Sequence, residues 1–219
     1  MVYFTGDTHG SAFEVVRFCK RFKLTADDTI VILGDVGANF CLDERDTVMK
    51  SALQRLKPTI LCIHGNHEIR PANIPSYLTK NWNGGTVWFE DAFPNILFAR
   101  DGDIYTLEGL EYLVIGGAYS VDKFYRLSRG YGWWEDEQPS DEIKAYVEQQ
   151  IAEKHFDVIL SHTCPFRYEP TEVFLPSIDQ STVDDSTEHW LDKIEDAVEY
   201  KAWFCGHWHI DKRIDKMHF

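Results

Sequence analysis

Six short runs constrain this chain more than anything else in it: "VYFT" at 2–5, "TIVIL" at 29–33, "TILCI" at 59–63, "EYLVI" at 111–115, "DVIL" at 157–160 and "AWFC" at 202–205. Each is almost wholly apolar, and each is followed by a turn carrying glycine or histidine. Runs of this length, rich in Val and Ile, read as strands buried on both faces. Helical patterns separate several of them. Ala12, Val15, Val16, Cys19 and Phe22 share one face of the first helix, and Val48, Met49, Ala52, Leu53 and Leu56 one face of the second. Trp190, Leu191, Ile194, Ala197 and Val198 form a third stripe, and a weaker one spans 141–155. Alternating strands and helices specify an α/β fold with largely parallel crossovers.

The middle of the chain breaks that alternation. "TVWF" at 86–89, "NILFAR" at 95–100, "DIYTLE" at 103–108 and "EYLVIGG" at 111–117 follow one another without helices, the last two as a hairpin turning near Gly109. A second, partly antiparallel sheet is therefore expected against the first. Segments 119–140 and 165–188 read as neither sheet nor regular helix, and long loops in a compact domain are usually functional. With no repeat or linker, residues 1–219 read as a single domain, and 165–188 as a lid beside a site.

Composition narrows the partners. A net charge of −14 provides no broad basic face for nucleic acid or anionic membrane. No stretch approaches the ~20 apolar residues of a membrane span. The chain opens directly on a strand-like run, and its five cysteines include no CxxC pair, so reduced thiols and a cytoplasmic location are expected. A small phosphate ester remains open as substrate, provided something local supplies positive charge.

Ligands of open α/β sheets bind beyond the carboxyl ends of the strands. After the first run come Asp7 and His9, and after the second Asp35. The third is followed by Asn66, His67 and Glu68, "DVILS" by His162, and "AWFC" by His207 and His209. A lone Asp at such a place is normally a turn or cap residue. Five strand ends bearing polar ligands in this order form a constellation. Gly6, Gly34, Gly65 and Gly206 are expected to let the backbone turn sharply there.

The series D-x-H, GD, GNHE, H and GHxH, spanning residues 2–209, resembles the calcineurin-like metallophosphoesterase superfamily. The resemblance implies a four-layer αββα sandwich of two mixed sheets flanked by helices, with the metal site at the carboxyl ends of the strands. It implies two metal ions, with Asp7, His9 and His209 on the first, Asn66, His162 and His207 on the second, and Asp35 bridging both. It makes His67 the catalytic histidine, over the substrate phosphate, and a hydroxide between the metals the nucleophile. Mixed imidazole and carboxylate donors suit Mn, Fe, Zn or Ni better than Mg or Ca. Such ions would supply the positive charge that an acidic protein lacks.

Rival phosphate chemistries are absent: no Cys-x5-Arg loop, no DxDx[TV] motif and no GxxxxGK[ST] loop occur. The expected function is phosphomonoester or phosphodiester hydrolysis on a small or nucleotide-type substrate. A Ser/Thr-type protein phosphatase and a non-catalytic metal-binding scaffold are the alternatives. Against the phosphatase, "GDVGANF" stands where that branch has GDxVDRG, so Ala38 replaces an aspartate that supports the catalytic histidine, and the arginine after it is missing too. Substitute cations could come from Lys123, Arg126 and Arg129, and Tyr119 and Tyr125 could stack on an aromatic leaving group. Trp133, Trp134, His64 and Cys164 read as packing residues, His155 as a helix-end residue, and Glu68 as support for a ligand or turn. The chain stops ten residues after His209, short for this family, so a further strand past Phe219 is expected.

Overall fold

A computed structural model describes residues 1–219. In the first sheet β1 (Val2–Thr5), β2 (Thr29–Ile32), β3 (Thr59–Cys62) and β6 (Ile96–Ala99) run parallel. The antiparallel strands β5 (Gly85–Phe89) and β4 (Leu78–Trp82) complete it, in the order β1-β2-β3-β6-β5-β4. In the second sheet β8 (Leu110–Ile115), β9 (Val158–Ser161), β10 (Ala202–Cys205) and β12 (Met217–His218) are parallel. The antiparallel strands β7 (Ile104–Leu107) and β11 (Arg213–Ile214) form its two edges.

Period-2 alternation explains the layers. Ile30, Ile32, Ile60 and Cys62 face Val15 and Cys19 of α1 (Phe13–Phe22) and Met49 and Leu53 of α2 (Glu44–Gln54). The intervening Val31, Leu33, Leu61 and Ile63 pack on Tyr112, Val114, Val158 and Leu160 of the other sheet. On its far side Leu113, Ile115, Ile159 and Trp203 meet Val147 of α4 (Asp141–Glu153) and Trp190, Leu191 and Ile194 of α5 (Ser186–Ala197). The result is the expected αββα sandwich.

Several details depart from the sequence pattern. β1 is only half-buried, because it is an edge strand. Val48 is 69% exposed; α2 turns Met49, Lys50 and Leu53 inward, and the Lys50 ammonium pairs with Glu90 at 2.5 Å. β4 went unread because its side chains are polar and mostly exposed, although Asn83-Gly84, both at positive φ, is a strong hairpin-turn dipeptide. Segment 119–140 holds a helix, α3 (Lys123–Arg129), and α5 begins inside 165–188. Two short strands, β11 and β12, follow His209. All five cysteines are free. No helix is long and apolar enough to cross a membrane.

Candidate metal centre

Parallel pairing brings the strand ends level. Thr5, Ile32 and Cys62 are aligned across the first sheet, and Ile115, Ser161 and Cys205 across the second. The chain leaving each strand therefore arrives at one edge of the sandwich. Sharp turning there falls to the polar residues themselves: His9, Asp35, His207 and His209 all have φ between 44° and 66°. A non-glycine residue in that region costs on the order of 1–3 kcal/mol, and such strain gathers at functional sites. The strand-end glycines have a different role from the one expected. Only Gly34 has positive φ, at +99°; a Cβ on Gly65 would lie 2.1 Å from Asp35 Oδ1, and one on Gly206 2.6 Å from Asp7 Oδ1. Gly65 and Gly206 are needed for close approach, whereas Gly6 has nothing nearer than 3.9 Å.

Two sets of donor atoms converge. In the first, His9 Nε2 and His209 Nε2 are 3.0 Å apart, and Asp7 Oδ2 lies 3.2 Å from His209 and 3.6 Å from His9. Ligand bonds of ~2.1 Å at right angles put donors about 3.0 Å apart, so this spacing fits one ion. In the second, Asn66 Oδ1 lies 2.8 Å from His162 Nε2 and 3.1 Å from His207 Nδ1. Asp35 stands between the sets, with Oδ2 4.0 Å from His9 Nδ1 and Oδ1 3.6 Å from His162 Nε2.

Hydrogen bonding fixes which atoms face inward. His162 Nδ1 is 2.7 Å from the Leu33 carbonyl, which can only accept, so the ring proton sits on Nδ1 and the Nε2 lone pair faces Asn66. Ser120 Oγ receives Arg126 Nη1 at 2.9 Å and donates to Glu137 Oε2 at 2.5 Å. Its remaining lone pair accepts Asn66 Nδ2 at 2.9 Å, which turns the amide oxygen toward the histidines. Two acceptors thus face each other at 2.8 Å around a fully buried imidazole. A cation between them satisfies both.

The charge states suit ligation. Burial, reinforced by His162, pushes His207 down to about 3, keeping it neutral. Burial opposes ionisation of Asp7, but His209, His162 and His207 outweigh it and hold the carboxyl well below its usual range. The hydrogen bond to Asp7 in turn raises His209. Backbone N–H groups hold both carboxylates: His207 donates to Asp7 Oδ1 and His67 to Asp35 Oδ1, each at 2.7 Å. Glu68 is fully buried, accepts the Gly65 N–H at 3.0 Å, and is pushed up to about 8 by burial and by Asp35.

His67 stands edge-on to His9, ring centroids 5.4 Å apart, with its Nε2 3.7 Å from Asp122 Oδ1. Its pKa is lowered, chiefly by burial. Tyr119 lines the cleft next to the ligands, but Lys123, Arg126 and Arg129 do not. The Lys123 ammonium lies over the Trp133 ring at 4.1 Å. Arg126 is 2% exposed beneath Asn66, between Phe40 and Trp134; Arg129 and Tyr125 are exposed together. Ala38 and Asn39 are buried away from the site, Asn39 accepting from Tyr77 Oη. His64 and Cys164 are buried, and His155 pairs with Asp157 just past α4. Sequence reasoning missed Asp122, Ser120 and Glu137. The only linear hint was their position in the segment following the β8 glycines.

Strand ends, donor set and buried carboxylates define a site able to hold metal, and comparison with known proteins points the same way. The profile of the calcineurin-like phosphoesterases matches residues 1–211, and the chain belongs to that family. No curated protein matches it. Among solved structures, a phosphopantetheinyl hydrolase from Mycobacterium tuberculosis superposes with a TM-score of 0.57 at 15% identity, covering 100% of this chain and 86% of that one. At that identity the likeness is one of fold.

Proposed function

We propose that this chain hydrolyses a small phosphate ester with two divalent transition-metal ions held by the seven converging side chains. Asp7, His9 and His209 would hold one ion and Asn66, His162 and His207 the other. Asp35 offers one oxygen to each set. The observation that carries the reading is the pair of lone pairs at His162 Nε2 and Asn66 Oδ1, 2.8 Å apart and buried. Two such ions supply the charge that makes water nucleophilic near neutral pH and offsets charge on the phosphoryl oxygens.

The chain's own residues do the rest. Asp7 and Asp35 are anchored by backbone N–H groups, so their oxygens keep their aim. His67, neutral at pH 7 because its pKa is lowered, would donate a hydrogen bond to a phosphoryl oxygen or the departing ester oxygen. The donor set favours Mn, Fe, Zn or Ni, and Mn is the first to test. The five free cysteines support a reducing compartment, the cytoplasm. A protein phosphatase gains no support from Ala38 and Asn39, which lie in the core.

The test is metal content and turnover together. Mn-reconstituted wild type should retain two equivalents of metal after gel filtration and hydrolyse aryl phosphates. Asp35→Asn should lose both properties. Equal activity in the mutant would sink the assignment. A phosphopantetheinyl ester belongs in the substrate panel because of the structural neighbour.

A further inference from the structure

Two clefts meet at the metal centre, and they share only His9 and His67. The larger, of about 490 Å³, runs from the ligands under segment 173–185. Phe174, Leu175, Ile178 and Val183 line it, with Phe174 stacked on Trp208 at 5.7 Å. The smaller, of about 360 Å³, lies beside Phe40 and Arg45. His9 and His67 form the ridge between them. A group bound at that ridge has room on both sides.

The charge around the larger cleft is one-sided. None of its 21 lining residues is Lys or Arg, while Asp122, Glu169, Asp184, Asp185 and Glu188 all border it. In the smaller cleft the Arg45 guanidinium is already engaged by Asp43, at 2.7 Å. Beyond the metal ions of the proposed site, no unpaired Lys or Arg in either cleft is available for the extra negative charge that distinguishes a phosphate monoester from a diester. Asp184 and Asp185 border the cleft with no Lys or Arg paired to either, so a monoanion with two organic substituents meets less repulsion there than a dianion, and it fills both clefts.

We propose that the substrate is a phosphodiester, with phosphorus at the His9–His67 ridge, an extended apolar arm without negative charge under segment 173–185, and a shorter group beside Phe40. This rests on the phosphoesterase reading above. Water forms a new bond to phosphorus, one ester P–O bond breaks, and the departing oxygen takes up the proton that water loses. A phosphate monoester and an alcohol leave.

The test uses the metal-loaded full chain and three substrates: 4-nitrophenyl phosphate, 4-nitrophenyl methyl phosphate and 4-nitrophenyl hexyl phosphate. The hexyl diester should exceed the monoester in kcat/KM by at least tenfold. Phe174→Ala should lower kcat/KM for the hexyl diester by about tenfold, the scale of a lost apolar contact, and for the methyl diester far less. Leu175→Ala, at a side chain already 56% exposed, repeats the test without endangering the fold. Calorimetry supplies a readout independent of turnover: dihexylphosphinate, which has two arms and no hydrolysable ester, should bind at least tenfold more tightly than hexylphosphonate. Faster turnover of the monoester, or tighter binding of hexylphosphonate, overturns the proposal. If no ester is cleaved, the phosphoesterase reading fails, and the calorimetric order still decides the diester proposal.

Discussion

Asp122 Oδ1 lies 3.7 Å from the Nε2 of His67, although the two residues leave different sheets. Position 38, where relatives of another branch carry an aspartate for this histidine, is an alanine buried in the core. Asp122 stands near the same ring from the loop after β8, and it also lies 3.7 Å from Arg126 Nη1. A carboxylate beside an imidazole favours its charged form, and here it opposes the burial that lowers His67.

Asp122→Asn keeps the shape and removes that charge. Turnover should fall roughly ten- to hundredfold, the scale of an impaired acid–base group, with bound metal unchanged. Steady-state kinetics beside elemental analysis checks this. Loss of metal in the variant would show instead that Asp122 supports the ligand shell.

The chain Glu137–Ser120–Asn66 aims an amide oxygen at His162 and His207, the proposed second metal position. Ser120→Ala deletes the acceptor that fixes the amide, so Asn66 can rotate. Metal affinity should drop about 10- to 100-fold, as for other residues that orient ligands. Competition against a chelating dye measures it; unchanged affinity would mean that the hydrogen-bond chain does not set the amide.

Metal removal should destabilise the protein. An ion present at 100 times its Kd contributes about 2.7 kcal/mol. For a chain of 219 residues that corresponds to a Tm shift of roughly 5–10 °C between chelated and Mn-loaded protein. Calorimetric scans of Asp35→Asn should show most of the gap closed.

Burial pushes Glu188 up to about 7, with the carboxylates Glu169 and Asp185 adding to the effect. Between the ordinary carboxyl value, near 4.5, and about 7, the native state holds a proton that the unfolded chain has lost. Stability from this group is full below that window and is lost as pH rises through it. Glu188→Gln should flatten the decline and leave the protein more stable than wild type at pH 8, by on the order of 3 kcal/mol. Denaturant titrations at pH 5 and pH 8 test the difference; identical slopes in the two proteins would refute it.

The convergence of these polar positions was legible because each follows an apolar strand directly, and strand ends in a parallel sheet must lie side by side. The αββα layering was legible for the same reason, since runs apolar on both faces need cover on both. β4 escaped because an exposed edge strand carries little apolar pattern, and α3 because its face buries chiefly Arg126.

Local chemistry, written residue by residue, specified the strands, the order of the polar residues that follow them and the acidic balance of the chain. Folding alone brought Asp122 to His67, turned Arg126 inward beneath Asn66, and set two clefts on either side of one histidine ridge. These relationships join residues far apart in the chain, and their partners are selected by packing and by satisfaction of buried polar groups. Neither leaves a periodic trace in a linear sequence.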